Sequence, residues 1–290
     1  MSAPVIVGFD GSASALIAVR YGAEEALLRG CDLHLFHAFG WPLLHPPSGA
    51  EHDRAELGPR GAMLNLLAQT ARNIERPRLS VHSHLVDGSP GGVLVAASHK
   101  ADLLVVGHRG LGGFIGLLAG SVGVQVAGHA NCPTVVVRGA AGLRKGPIVL
   151  GVDGSPGAYA AADAAFAQAY RRGSELLVVH RQPPSPGRVG ARAVAAGHNP
   201  HLATVEAIAR AVRGIADRYS AVSWSAEVRH GDSAPTALMA AAEEMRAGLL
   251  VVGKRGFGGF RAMILGSTSR TLIEHAPCPV MVVPPAVHPV

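Results

Sequence analysis

Cysteine is scarce in this 290-residue chain: Cys31, Cys132 and Cys278 are the full set of three, with no Cys-x-x-Cys pair. An odd, dispersed set provides neither a disulfide framework nor a zinc ribbon. Aromatic residues make up only 4%, and the 26 Lys and Arg, against 20 Asp and Glu, are scattered along the chain. The net charge of +6 therefore reads as attraction for small anions, not as a nucleic-acid surface, for which no base-reading motif is present. The start, Met1-Ser2-Ala3-Pro4-Val5, has no basic n-region and reaches Asp10 too early for a signal peptide. Between Arg109 and Arg138 there is no Asp, Glu, Lys or Arg, but glycines and Cys132-Pro133 break the run. Its counterpart between Arg255 and Val283 carries Arg261, Arg270 and Glu274. A transmembrane helix is not expected, and the chain reads as soluble and cytoplasmic.

Several enzyme signatures are also missing. After the first apolar run the chain has Gly8-Phe9-Asp10-Gly11-Ser12-Ala13, not the G-x-G-x-x-G of a hydride-transfer domain, and no G-x-S-x-G elbow occurs. Gly248 to Lys254 matches the first seven positions of a P-loop, but Arg255 stands at the metal-binding Ser/Thr position and Leu249 to Val252 reads as strand. The match is a false positive.

What the chain does contain is a motif set stated twice. Val105-Val106-Gly107-His108-Arg109-Gly110, then nine residues, then Gly120-Ser121, recurs as Val251-Val252-Gly253-Lys254-Arg255-Gly256, nine residues, and Gly266-Ser267. Each copy opens alike, Val5 to Ser12 against Ile148 to Ser155, and closes alike, His129 to Val137 against His275 to Val283. The offset is 143 residues at Asp10 and Asp153 and 146 at Gly107 and Gly253, which is a duplicated domain and not a short-period solenoid. The domains are assigned to 1–140 and 146–290, with residues 139–146 as linker. A Gly-x-x-Gly loop leading to a helix start is what a backbone phosphate cradle needs, although a single one is usually just a turn: glycine permits close approach and positive φ, and the helix N-terminus offers N–H groups.

Apolar runs and caps alternate through both copies. In the first, strands are expected at 5–9, 33–39, 79–86, 102–106 and 134–137, with helices from Ser12 or Ser14 to Arg29 and over 62–74, 90–99 and 121–129. In the second, strands are expected at 148–152, 175–180, 222–229, 249–252 and 280–283, with helices over 156–172, 202–217, 235–246 and 267–275. Proline-rich excursions occupy 40–60 and 181–200. The alternation predicts two tandem doubly wound α/β units with parallel sheets and right-handed crossovers. Ligands bind such sheets beyond the strand carboxyl ends at the switch point. If the first and fourth strands are neighbours, Asp10 and the glycine loop share one crevice.

These motifs, in order and in duplicate over nearly the whole chain, resemble the universal stress protein family in its tandem form. The resemblance implies a five-stranded parallel sheet per domain, Rossmann-like and adenine nucleotide alpha hydrolase-like, with pseudo-twofold pairing of the domains. It also implies that the glycine signature binds ATP, with Mg2+. On that resemblance Gly8 and Asp10 take the nucleoside end, Ala38 gives its backbone to adenine, and Val106 and Gly107 lie along the ribose. Arg109, Gly110, Gly120, Ser121 and Val122 surround the phosphates. The second copy supplies Gly151, Asp153, Arg181, Val252, Gly253, Arg255, Gly256, Gly266, Ser267 and Thr268. Family members often carry a hydroxyl two residues beyond the serine of Gly-Ser. Ser269 provides it in the second copy, whereas Gly123 does not in the first. The second copy is therefore expected to grip a triphosphate more firmly.

Asp10 and Asp153 also admit a plainer role as helix caps. His82 and His84 share a strand face, but exposed or capping histidines are the reading preferred to a metal site. Cys132 and Cys278 read as small core residues. No motif residue is an evident general base beside the loops, so no enzyme is expected beyond slow ATP hydrolysis. The favoured function is a nucleotide-responsive regulator in a stress response, with an unidentified protein partner and a homodimer as further expectations. A weak ATPase or phosphotransferase, and a nucleotide-independent interaction module, are the alternatives.

Overall fold

A short apolar strand with no polar face is stable only where both sides are covered, and the centre of the first unit is built from such strands. The computed structural model describes residues 3–40, 58–111, 120–138, 146–182, 200–256 and 264–285, in two units, Met1–Gly139 and Ala140–Val290. In the first unit β1 (Val5–Gly8), α1 (Ala13–Arg29), β2 (Leu33–Phe39), α2 (Pro59–Ile74) and β3 (Val81–Asp87) follow in order. Then come α3 (Pro90–Ala97), a single 3-10 turn, β4 (Leu103–Gly107), α4 (Ser121–His129) and β5 (Thr134–Val137). The strands run parallel in the order β3-β2-β1-β4-β5. Val5, Val7, Leu103, Leu104 and Val105 are wholly buried. Val7 meets Gly22 of α1 while Gly8 meets Leu94 of α3, so these helices lie on opposite faces of the sheet.

The second unit repeats this as β6 (Ile148–Val152), α5 (Pro156–Arg172), β7 (Leu176–Gln182), α6 (Pro200–Ala216) and β8 (Trp224–His230). It continues with α7 (Ala234–Glu244), β9 (Leu249–Gly253), α8 (Ser267–His275) and β10 (Val280–Val283), in the order β8-β7-β6-β9-β10. The doubly wound parallel α/β fold expected from the alternation is present in each unit. β1 pairs with β4 and β6 with β9, so the strand order reverses between the strand that leads to the aspartate and the strand that leads to the glycine loop. Leu249–Gly253 is a strand, which disposes of the P-loop match.

Local chemistry fixes the helix ends identically in both copies. Ser12 Oγ accepts from Ala15 N at 3.1 Å and Ser155 Oγ from Ala158 N at 3.3 Å, so Ser12, not Ser14, caps α1. Gly30 (φ 62°) and Gly173 (φ 59°) end α1 and α5 in the left-handed conformation. Elsewhere the edges differ from expectation. Strand β3 starts at Val81, not Leu79, because Arg78 takes φ 81° and a bridge joins Arg76 to Leu79. Helix α2 begins three residues earlier than expected, with Pro59 in its first turn. Among the described residues no helix is long and apolar enough to cross a membrane. The linker apart from Gly146, most of both proline-rich excursions, and loop residues 112–119 and 257–263 lie outside the described residues.

Candidate functional site

The turn after β1 is set by its aspartate. Asp10 Oδ1 accepts from Ser12 N at 2.9 Å, Gly11 takes φ 86°, and Ser12 then starts α1. The other oxygen, Oδ2, accepts from Leu111 N at 2.8 Å and so ties this turn to the glycine loop after β4. Asp153 Oδ1 accepts from Ser155 N at 3.0 Å beside Gly154, φ 82°. The aspartates are therefore turn-formers and, in the first unit, a loop tie; the helix-cap role belongs to the serines. A Cβ on Gly110 would stand 2.5 Å from Asp10 Oδ2, and one on Gly256 would collide with Asp153 Oδ2.

Close approach, not positive φ, is what the signature glycines provide. Positive φ occurs at Gly11 and Gly154, and at none of the signature glycines among the described residues. A Cβ on Gly107 would lie 2.5 Å from Ser14 Oγ, and one on Gly253 2.8 Å from the Gly157 carbonyl oxygen, so each strand end passes hard against the first turn of a helix. Gly8 and Gly151 are needed for another reason: a Cβ there would be 2.8 Å from Leu94 and Leu238 respectively.

Gly120 N donates to the His108 carbonyl at 2.7 Å and Gly266 N to that of Lys254 at 2.9 Å, closing the neck of each loop. Helices α4 and α8 begin at that neck with no side-chain cap, which leaves Ser121 and Val122, or Ser267 and Thr268, at the N-terminal turn. The predicted residues of the first unit thus fall along one edge: Gly8, Asp10, Ala38, Val106 and Gly107 at strand ends, Arg109 and Gly110 in the loop, and Gly120, Ser121 and Val122 at the helix start.

In the second unit the same edge encloses a cavity of about 330 Å³. Gly151, Asp153, Arg181, Val252, Gly253 and Arg255 line it, together with Gly256, Gly266, Ser267, Thr268 and Ser269. All eleven residues proposed from sequence for this copy are brought together. Val179, Ala234 and Leu238 supply apolar wall that motif reading missed. Arg181 donates through Nε and Nη2 to the Gly231 carbonyl, at 3.0 and 2.8 Å, holding the turn before α7. Ser269 Oγ donates to the Gly253 carbonyl at 2.8 Å and is 3% exposed, so this hydroxyl locks α8 to the strand end. The expectation from sequence was that this hydroxyl helps to grip a triphosphate.

Two histidines were also missed. His37 Nδ1–H donates to the Phe9 carbonyl at 2.8 Å and His180 Nδ1–H to that of Val152 at 2.9 Å, each steadying the backbone just before an aspartate. Their shared offset of 143 residues was the available signal. Cations crowd both loops. His108 is held below its usual pKa by burial, then by Arg138 and Arg109, and Arg138 is lowered by burial and by Arg109. Lys254 is lowered by burial and then Arg255. An anion in either crevice would relieve that repulsion.

Comparison with known proteins agrees with this architecture. The sequence profile of the Universal stress protein family matches residues 1–138 and 146–284. The chain belongs to the universal stress protein family. A universal stress protein of Mycolicibacterium smegmatis is 32% identical over 294 residues, covering 97% of each chain. Universal stress protein Rv2623 of Mycobacterium tuberculosis is 31% identical over 292 residues, covering 96% of this chain and 95% of its own. A universal stress protein from Archaeoglobus fulgidus shares the fold with a TM-score of 0.74, at 20% identity, over 99% of this chain and 97% of that one. Both halves of this family member carry the turn, neck and helix-start geometry described above.

Proposed function

We propose that the crevices bind an adenine nucleotide, ATP with Mg2+, and that the chain is a nucleotide-responsive regulator and not an enzyme. The observation that carries this reading is the cavity of about 330 Å³ bounded by the ends of β6 and β9, two arginines and the uncapped start of α8. That volume lies within the range of small-molecule sites, and a helix start beside cations suits phosphate. Its apolar wall, Val179 and Leu238, suits a base. The residues present also fit a hard cation riding on phosphate, since Ser267 and Thr268 bring hydroxyl oxygens to the cavity. Mg2+ bound there would neutralise phosphate charge.

The polar part of the lining is made of backbone, hydroxyls and cations, and its carboxylate, Asp153, already accepts a backbone N–H. Such a site favours binding over turnover, so any hydrolysis is slow. The test is to denature freshly purified protein, chromatograph the released material and count adenine nucleotide per chain. About two per chain supports both crevices and about one supports the second unit alone. None, with no uptake of added ATP and magnesium, leaves the nucleotide-independent interaction module.

A further inference from the structure

The open face of β2 and β3 carries a histidine cluster far from any motif. Parallel pairing sets His34 opposite His82 and Phe36 opposite His84, and Asp32 immediately precedes β2. Ligand atoms of Asp32, His34 and His82 lie within 4.8 Å of one another, with Asp32 Oδ2 3.6 Å from His82 Nε2. His84 Nε2 sits 3.1 Å from His34 Nδ1 while its ring stacks on Phe36 at 4.5 Å. We propose that Asp32, His34 and His82 bind a divalent transition-metal ion of the zinc class, with His84 as the group that orients His34.

The donor set decides the class of ion. Two imidazoles and one carboxylate suit zinc and its neighbours, whereas magnesium and calcium want oxygen alone. Metal–ligand distances near 2.0–2.2 Å need the three atoms drawn closer, by roughly an ångström, than their present limit. Asp32 and His82 have side chains 51% exposed, and so turn freely inward. When His34 Nδ1–H donates to His84 Nε2, the lone pair of His34 Nε2 is left for the ion, the outer-shell arrangement that fixes a ligating histidine. A groove of about 820 Å³ runs beside His34 and His84, and the half-exposed Asp32 and His82 open the site to solvent.

The sheet does not require this cluster. In the register of the second unit, Leu177 stands for His34, Ser225 for His82 and Glu227 for His84. Three imidazoles packed on one face are a cost that a bound cation offsets, and only the first unit carries it.

The experiment uses the full chain, stripped with chelator and dialysed against Zn2+, with metal counted per chain; Co2+ absorption reports the ligand set. One ion per chain is expected. His34→Gln and His82→Asn should each weaken binding by at least about tenfold, and His84→Asn by roughly the tenfold that outer-shell partners contribute. His129→Asn, at the end of α4, should leave zinc binding unchanged. Asp32→Asn, at an exposed side chain, gives a variant that folds should a histidine change disturb the sheet. Equal zinc uptake by the wild type and the His34→Gln/His82→Asn double variant overturns the proposal, as does no uptake by the wild type.

Discussion

Gly256 and Gly266 are glycines for different reasons, and alanine separates them. At Gly256 a Cβ collides with the Asp153 carboxylate, so Gly256→Ala must move the turn after β6 and should lower both stability and nucleotide content. At Gly266 the backbone is ordinary, φ −65° and ψ 149°, and a Cβ would be 3.3 Å from the Lys254 carbonyl oxygen. Gly266→Ala should therefore cost under about 1.5 kcal/mol, the scale of an N-cap change, while bound nucleotide falls by roughly tenfold or more. Thermal melts and chromatography of released nucleotide measure the two effects separately; full retention of nucleotide would show that the helix start is not the phosphate seat. Gly123 is the reverse case. A Cβ there meets Val136 at 3.7 Å and lies 4.0 Å from the Gly107 carbonyl oxygen, which is ordinary van der Waals contact. Gly123→Ser should recreate the lock that Ser269 makes and stabilise the first unit by about 0.5–1.5 kcal/mol, read as a shift in the urea midpoint.

Between elements, a buried charge joins the end of α1 to the start of β4. Glu25 is 1% exposed and pairs with Arg29, whose Nε also donates to Asp102 at 2.7 Å. Arg29→Ala would leave Glu25 buried without that cation and should cost about 3–5 kcal/mol in chemical denaturation. The closing strands carry a pH signal. Burial pushes the thiols of Cys132, just before β5, and Cys278, just before β10, from the usual 9.0 to about 12. A raised acid pKa means that the folded state holds the proton more tightly than the unfolded one. The stabilisation is therefore complete below pH 9 and is lost as the pH climbs toward about 12. Native protein at pH 8 should resist thiol alkylation at both sites, and denatured protein should react. Cores of this kind were legible in advance, because Val5–Gly8, Leu103–Gly107 and Leu249–Gly253 are uninterrupted apolar runs. Edges were not. The start of β3 depends on the turn Arg76 to Leu79, closed by Leu79 N donating to the Arg76 carbonyl at 2.9 Å; Pro77 signals a turn there, but Arg78, at φ 81°, stands where glycine would have announced the left-handed residue.

At the scale of the molecule, duplication is what made the crevices readable, since each motif could be checked against a second copy of itself. The roles of single residues were harder to read. Ser269 carries a hydroxyl that the motif alone gives to phosphate, and only its distance to the Gly253 carbonyl shows where it goes. The Asp32, His34 and His82 cluster stayed hidden because it forms across a strand pairing, and the sequence shows His82 and His84 without their neighbours. The two crevices have also diverged as linked pairs. In the first, Ser14 Oγ lies 3.1 Å from His108 Nδ1 and also accepts from Arg109 N at 3.4 Å. In the second, Gly157 and Lys254 hold those places. The first neck is thus braced by the Ser14–His108 contact, while the second carries a lysine beside the cavity's Arg255. Lys254→His should flatten the salt dependence of nucleotide affinity at the second crevice. Titrating a fluorescent adenine nucleotide into full chains carrying Asp10→Asn or Asp153→Asn, at low and high salt, isolates each crevice. Asp153→Asn should remove the tighter, salt-sensitive phase. If Asp10→Asn removes it instead, the ranking of the two crevices is reversed, and the braced Ser14–His108 neck is the better nucleotide seat.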